Sequence, residues 1–251
     1  MNPAGTALVV RPENIRPGHS TAYGRSVEYR LGKLARLGLI RGAWLDCGCA
    51  EGQYTLGLLR QGASEAIGTD INEDAVKNSR RLYAREPHLS FAVAAAEAMP
   101  FDEGCFDGIL LNEVLEHVDD ERRTLVEMHR LLRPGGHLVV YSPNRWFPFE
   151  GHGLTGPVRM PFPVPLVPWL PAALTGRWMQ ARNYWPGELQ KLVAAAGFNI
   201  VHVAFAWPLF SQYRWLPDSL IRAYGKVLPF LERLPVVRRF GVSTLIVGEK
   251  F

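Results

Sequence analysis

The sequence predicts an α/β protein in which helices cover both faces of a doubly wound, mostly parallel sheet. Short apolar segments alternate with amphipathic segments of about a dozen residues, which is typical of parallel strands joined by helices. The first apolar segment leads into an acidic residue and a glycine turn at 43–52, and the second also ends in a carboxylate, Asp70. With 251 residues, 47% of them hydrophobic, the chain can form one such domain.

Helical and extended periodicities place the elements in order. Gly62 ends the second helix, Pro87 stops the third, and the segment 133–136 separates the fourth helix from its strand. The predicted helices are 20–39, 52–61, 73–84, 120–132 and 186–196. The predicted strands are 43–47, 66–70, 89–94, 106–111, 137–142, 198–206 and 243–248.

Two segments interrupt this alternation, and we expect them to be insertions in a single domain of 1–251. Eight prolines between Pro143 and Pro171 rule out a continuous helix or a central strand there. The predicted core is 20–144, 183–206 and 241–251, and the insertions are about 145–182 and 207–240, after the fifth and sixth strands. They are predicted to be lids over the substrate, although the aromatic residues of the first can equally fill a small core of their own.

The second insertion contains an amphipathic pattern. Its apolar residues are predicted to share one helical face, with a kink at Pro229: Leu220, Ile221, Tyr224, Val227, Leu228 and Leu231. Two interpretations stay open, namely packing against the sheet or a basic helix resting on a membrane.

Composition narrows the classes of partner. The net charge of +4 is mild and no basic run occurs, so nucleic acid is not expected as a partner. Cys47, Cys49 and Cys105 neither form a complete disulfide framework nor show zinc-site spacing, so we expect no metal. No apolar run approaches the ~20 residues that span a bilayer. We therefore expect a cytoplasmic protein, with peripheral contact to the inner face of a membrane as the alternative.

The turn after the first strand indicates a ligand. Gly48 is not followed by the glycines of a dinucleotide fingerprint, because Ala50 and Gln53 stand at those positions. Asp46, just before the turn, would repel a pyrophosphate and suits a cationic or amine-bearing ligand. Asp70 can accept hydrogen bonds from both hydroxyls of a ribose, or it can cap the helix that begins near residue 73.

These residues resemble the motifs of a known family. Asp46-x-Gly48-x-Ala50-x-Gly52 is similar to motif I, D-x-G-x-G-x-G, of the class I methyltransferases that use S-adenosylmethionine (SAM). The segments 95–101, 106–118 and 131–136 resemble the D-A-E-x-L-P-F, F-D-x-I…V-L-E-H and L-K-P-G-G segments of the type 11 (ubiquinone- and menaquinone-biosynthesis-like) members. The resemblance implies a Rossmann-like seven-stranded sheet, with six parallel strands and an antiparallel last strand.

The resemblance also implies a set of site residues. Ala50 and Ala95 depart from the family, which has glycine and an adenine-binding aspartate at these positions. A general base is needed only if the nucleophile starts protonated, and His117, Tyr141 and His152 are the candidates. The implied cofactor-binding residues are Asp46, Gly48, Cys49, Ala50, Gly52, Asp70, Ile71, Ala96, Glu97 and Asn112.

The implied function is in-line transfer of a methyl group from SAM to an O, N or C atom of a small-molecule or lipid-like acceptor, such as a quinone precursor. Two alternatives remain at this point. One is a non-catalytic SAM-fold module that has lost the cofactor through Ala50 and Ala95. The other is a different enzyme, such as an oxidoreductase, on the same scaffold. The sequence leaves the pathway and the oligomeric state open.

Overall fold

The computed structural model describes residues 19–150, 164–175, 179, 181–210 and 216–251. Seven strands of this part of the chain form one sheet. They are β1 (Ala43–Cys47), β2 (Glu65–Asp70), β3 (Leu89–Val93), β4 (Phe106–Asn112), β5 (Leu132–Pro143), β8 (Phe198–Ala206) and β9 (Ser243–Lys250). Their order is β3-β2-β1-β4-β5-β9-β8, and β9 runs antiparallel to both β5 and β8. Six strands therefore share one direction, and the predicted sheet is confirmed.

Helices cover both faces of the sheet. They are α1 (His19–Arg36), α2 (Gln53–Arg60), α3 (Glu73–Leu82), α4 (Glu121–Leu131), α5 (Ala172–Thr175), α6 (Pro186–Ala195) and α7 (Asp218–Leu231). Alternate residues of β4 show why the strand sequence is apolar throughout. Leu110 shares one buried cluster with Leu31 of α1 and Leu58 of α2, whereas Ile109 shares the opposite cluster with Met128 of α4. Each such fully buried side chain stabilises the fold by about 1.5–3 kcal/mol.

The fifth strand begins at Leu132 rather than at the predicted His137. Leu132 pairs with Phe106 and His137 pairs with Gly108, so the ladder shifts between these two pairs. The intervening turn residues bulge out instead of ending the strand. Arg133 in this bulge forms an ion pair of 2.7 Å with Asp107 of β4.

The insertion after β5 is described in part. Its two short strands, β6 (Phe149–Glu150) and β7 (Val164–Pro165), pair antiparallel, and a 3₁₀ turn at Val167–Trp169 precedes α5. Arg145 ties this segment together, because its guanidinium donates to the carbonyl oxygens of Pro168 and Leu170, each at 2.6 Å.

The insertion after β8 contains the predicted amphipathic helix, α7, which continues through Pro229 to Leu231. The six predicted apolar residues lie within one arc of α7, and only part of that arc is packed. Leu228 is buried, whereas Leu220 and Val227 are 55% and 48% exposed. The reason is that the apolar arc of α7 is wider than the surface against which the helix packs.

Candidate functional site

The turn that follows β1 lies at the carboxyl ends of the parallel strands, where open α/β sheets bind ligands. Gly48 and Gly52 have φ values of 77° and 75°, a conformation that favours glycine. The amides of Gly48 and Cys49 both donate to the carbonyl oxygen of Thr69, at 2.7 and 2.8 Å. A Cβ on Gly48 would lie 2.4 Å from a methyl group of Val114. Close packing as well as backbone geometry therefore requires this glycine.

Ala50, at the altered position of the motif, is also left-handed, with a φ of 45°. Its amide donates to Oδ2 of Asp70 at 2.9 Å, and its carbonyl oxygen accepts from the Ser79 hydroxyl at 3.1 Å. An alanine in this region carries a strain of about 1–2 kcal/mol. The two hydrogen bonds thus hold a strained, exposed backbone beside the end of β2.

Asp46 is the most deeply buried acid of the site, at 1% exposure. Its Oδ2 accepts a hydrogen bond of 2.7 Å from the hydroxyl of Thr55 on α2. Burial, with a further contribution from the charge of Asp70, raises the pKa of Asp46 to about 7, although the Thr55 hydrogen bond opposes the rise. No Lys, Arg or His of the described residues forms an ion pair with Asp46. A positively charged ligand would supply the missing counter-charge.

Asp70 ends β2 on the other side of the turn. Its Oδ1 accepts from the amide of Asn72 at 2.9 Å, and its Oδ2 accepts from Ala50. These bonds fix the carboxylate and leave each oxygen with acceptor capacity for a ligand hydroxyl. The alternative that Asp70 caps α3 is wrong, because the side chain of Asn72 is the cap and accepts from the amides of residues 74 and 75. Ile71 beside it is 71% exposed and offers an apolar surface.

The loop after β3 is tied to α4. Glu97 is half-buried, and its Oε1 accepts from the amides of Asp119 and Asp120, at 3.1 and 3.4 Å. Ala95 and Ala98 form an isolated bridge that closes the loop around Ala96. The structure thus gives Glu97 a loop-ordering role, and Ala95 brings no polar side chain to the site.

Asn112 ends β4 and contacts a residue that sequence reasoning missed. Its Oδ1 accepts from Nη1 of Arg30 on α1 at 2.7 Å. The same guanidinium donates to Ser243 at 2.8 Å and forms an ion pair of 2.7 Å with Glu113. Arg30 lies 82 residues from Asn112 in an ordinary amphipathic helix, so no local pattern marks it.

Two carboxylates next to Asn112 were also missed. Glu113 has a φ of 57°, which places a bulky residue in the left-handed region. Glu116 is 2% exposed, with Oε2 accepting from the Ser142 hydroxyl at 3.2 Å and Oε1 without a hydrogen-bond partner among the described residues. Burial and the charge of Glu113 raise the pKa of Glu116 well above its ordinary value. Burial is the largest single influence on Glu113 and opposes its ionisation. The charge of Arg30 and the hydrogen bonds with Ser243, Glu116 and Arg30 together outweigh burial and lower the pKa of Glu113.

The three candidates for a general base lie in different environments. His117 is exposed in the turn that follows β4. Tyr141 is fully buried, donates its hydroxyl to the Arg30 carbonyl oxygen at 3.0 Å, and has a pKa raised by burial. This placement argues against Tyr141 as a base, because an acceptor cannot reach it. His152 lies outside the described residues.

Other potential sites are poorer. Within the described ranges, no three His, Cys, Asp or Glu side chains converge as metal ligands. No helix in the same ranges is long and apolar enough to cross a membrane. Cavities of about 300 and 260 Å³ open at the amino-terminal edge of the sheet, beside Ala43 and Gly42, away from the carboxyl ends.

The acceptor groups and the apolar surface at the carboxyl edge therefore fit a ligand that combines a positive charge, a ribose and a flat ring. Asp46 has no counter-charge among the described residues, Asp70 presents oriented acceptors, and Ile71 offers an exposed apolar contact. Oε1 of Glu116 also remains buried without a hydrogen-bond partner among the described residues. This is the chemistry of a sulfonium nucleoside.

Comparison with known proteins gives consistent matches. The family described as "Methyltransferase domain" matches residues 45–140. The demethylmenaquinone methyltransferase of Thermus thermophilus is 30% identical over 167 residues, which cover 62% of this chain and 74% of that protein. The ubiquinone biosynthesis O-methyltransferase of Alkalilimnicola ehrlichii is 36% identical over 104 residues, 40% of this chain and only 41% of that protein.

Solved structures agree on the fold. An S-adenosylmethionine-dependent methyltransferase from Mesorhizobium loti superimposes with a TM-score of 0.61 and 19% sequence identity. The match covers 89% of this chain and 98% of that one. At this identity the likeness concerns the fold alone, and it extends beyond the central region to most of the chain.

Proposed function

The chain belongs to the family of SAM-dependent methyltransferases, and from this premise we propose that it methylates a small, lipid-soluble acceptor of the quinone-precursor class. The observation that carries the proposal is the pair of carboxylates at the ends of adjacent strands, Asp46 and Asp70, with the left-handed turn between them. Relatives that are named for demethylmenaquinone and for ubiquinone biosynthesis support this acceptor class.

The proposed roles follow from the contacts. Asp70 would accept the ribose hydroxyls, Ile71 would cover the adenine, and Asp46 and Asn112 would face the methionine part. When bound, SAM supplies a methyl group that its sulfonium charge already activates. The main contribution of the chain is therefore to hold the two reactants in line, which can lower the barrier by several kcal/mol.

The remaining assigned positions shape the crevice. Gly48, Cys49, Ala50 and Gly52 would bring backbone rather than side chains to the cofactor, and Ala96 would do so beside the ring. Glu97 would order the loop through Oε1, which accepts from the amides of Asp119 and Asp120, and would face the cofactor with its other carboxylate oxygen. With a hydroxyl acceptor, His117 is the candidate base that the described residues retain.

We place the enzyme in the cytoplasm and treat the chain as one domain with two insertions. Neither alternative function gains support. The two relatives described above are named as methyltransferases, and the strand before the left-handed turn carries a buried acid that would repel the pyrophosphate of a dinucleotide. Ala95 lacks the hydrogen bond that the family's aspartate makes to adenine, and Ala50 adds one methyl group to the turn. The carboxylates of Asp46 and Asp70 are both present.

Calorimetric titration tests cofactor binding. The wild-type chain should bind SAM and its demethylated product, and Asp70→Asn should weaken both by roughly tenfold, because a charge-assisted hydrogen bond is lost. Asp102→Asn, at an exposed acid of the 101–104 loop, is the matched control and should bind normally. A chain that binds neither compound, or that prefers a nicotinamide dinucleotide, would refute the proposal.

Radiolabelled SAM tests the acceptor class. Label should pass to quinols or phenols in a lipid extract and not to nucleic acid or protein. If the chain binds SAM but labels only water-soluble metabolites, the methyltransferase assignment stands and the proposed acceptor class is wrong.

A further inference from the structure

Helix α7 carries two apolar stripes, an inner one that packs on the rest of the protein and an outer one. The inner stripe contains Leu228, which is 6% exposed, and Tyr224, whose ring meets Phe210 at a centroid distance of 5.0 Å. Glu232, directly after the helix, forms an ion pair of 2.5 Å with Lys33 of α1. The inner stripe and this ion pair fix how α7 lies on the protein.

The outer stripe of α7 faces solvent. Leu220, Val227 and Phe230 are 55%, 48% and 62% exposed, and Ala223 lies between them. Their spacing of three, seven and ten residues places all four on one side of a helix. Packing inside the protein does not account for the outer stripe, because α7 packs on the domain through its inner stripe.

Basic residues border the outer stripe. Arg222 and Lys226 are exposed on the polar side of α7. Arg233, Arg238 and Arg239 are exposed in the segment that follows. The segment 218–239 holds five basic residues against two acidic ones, and Glu232 is already paired. An apolar stripe with a basic border is the pattern of a helix that lies in the interface of an anionic membrane.

The segment that follows α7 reaches the carboxyl edge of the sheet, where the crevice opens. The side-chain amide of Asn144, directly after β5, donates to the carbonyl oxygens of Arg239 and Gly241, at 2.6 and 2.7 Å. Trp146, which is 36% exposed, meets the ring of Phe240 at 5.7 Å. Exposed Trp169 in the neighbouring insertion adds an aromatic ring of the kind enriched at the membrane surface.

A helix of 14 residues is too short to span a bilayer, which needs about 20. Binding in the plane of the interface is the geometry that remains for α7. We propose that α7 docks this protein on an anionic phospholipid bilayer, with Leu220, Val227 and Phe230 facing the acyl chains and the basic residues at the headgroups. Docking in this way would open the crevice toward a membrane-dissolved acceptor, so this benefit rests on the proposed function, whereas the docking itself does not.

Vesicle flotation tests the docking. The full chain is mixed with vesicles of phosphatidylcholine alone or of phosphatidylcholine with phosphatidylglycerol. It should float with the anionic vesicles, and more salt should weaken this binding. The variant Leu220→Ser/Val227→Ser/Phe230→Ser should bind at least about tenfold more weakly, because three apolar anchors are lost. Arg222→Gln/Lys226→Gln should lose the preference for anionic lipid.

The matched control is Leu82→Ser/Val126→Ser, which removes apolar side chains that are 60% and 59% exposed on α3 and α4. It should float like the wild type, and calorimetry with SAM should show that all variants are folded. The proposal is overturned if the wild type stays at the bottom with anionic vesicles or if the control loses as much binding as the triple variant. It is also overturned if the stripe instead forms a dimer that light scattering detects and the triple variant abolishes.

The two proposals fail separately. If the chain floats but methylates no quinol, the docking surface stands and the acceptor class is wrong. If a short-chain, water-soluble quinol is methylated equally by the wild type and the triple variant while neither floats, the acceptor class stands and the docking surface is wrong. With both proposals correct, the triple variant loses turnover only on the vesicle-dissolved acceptor.

Discussion

A single buried carboxylate, Asp46, couples the stability of the protein to its proposed function. Its neighbours give it a hydroxyl donor but no counter-charge in the described part of the chain. Ionising such a group in the folded state costs free energy. A positively charged ligand would stabilise the ionised carboxylate and would therefore bind more tightly to it. A site of this kind is expected to weaken the ligand-free protein in the pH range in which it binds its ligand.

Asp46→Asn should therefore stabilise the ligand-free protein at high pH. The folded-state pKa of about 7 lies above the unfolded value, so the wild type loses stability as the pH rises from about 4 to 7 and regains none above it. Urea unfolding should show a gain on the order of a few kcal/mol at pH 8 that disappears toward pH 4. The same variant should bind SAM more weakly, and wild-type affinity should rise between pH 6 and 8. An equal gain at both ends of the pH range would contradict this account.

The backbone conformation of Ala50 is strained, which the motif alone does not reveal. Its φ of 45° is strained for alanine and unstrained for glycine. Ala50→Gly should raise the free energy of unfolding by about 0.5–1 kcal/mol, because the relief of strain exceeds the extra entropy of glycine in the unfolded chain. Ala98→Gly, at an exposed alanine of the loop after β3 without a positive φ, is the control and should destabilise or leave stability unchanged. Thermal unfolding of both variants decides the matter.

At the scale of elements, Arg30 fastens helix α1 to the carboxyl edge of the sheet. Arg30 joins the ends of β4 and β9 through Asn112, Glu113 and Ser243. Its guanidinium also lies over the ring of Tyr141, 4.9 Å from the centroid. α1 therefore forms one wall of the crevice.

Arg30→Met should cost about 1–3 kcal/mol of stability, because it leaves the half-buried carboxylate of Glu113 without its partner. The double variant Arg30→Met/Glu113→Gln should recover much of this loss. Arg25→Met, at an exposed arginine of the same helix, should change stability by less than about 0.5 kcal/mol. Urea unfolding and hydrogen exchange of the α1 amides measure these effects. If the double variant is no more stable than Arg30→Met, the ion pair between Arg30 and Glu113 is not what holds α1.

Element boundaries show where local patterns were sufficient. β1, β8 and the centres of α2, α3 and α4 follow directly from apolar periodicity and from the glycines and prolines that end them. The start of β5 does not, because the segment Arg133–Gly136 has the composition of a turn. It bulges from a ladder that the pairing of Leu132 with Phe106 has already begun. Strand pairing, which is not local, decided this boundary.

At the scale of the whole molecule, the strand order assembles the site. The chain leaves β1 toward β2 and β3 on one side and continues with β4 and β5 on the other. The crevice lies at this reversal of direction, so Asp46 and Asn112, which are 66 residues apart, meet at one edge. The partly described insertions after β5 and β8 contact each other next to the same edge, through Trp146 and Phe240.

The sequence by itself determined the strands, the glycine turn and the two acidic strand ends, because each depends on residue types at local spacing. The six-plus-one direction pattern came from the resemblance to a known family rather than from any local pattern. Only the tertiary structure decided that Asn72 rather than Asp70 caps α3, that Tyr141 is enclosed, and that Arg30 ties α1 to the end of β4. It also decided which apolar side of α7 is left in solvent. These outcomes depend on contacts between residues far apart in the chain, and periodicity within one segment carries no information about what packs against it.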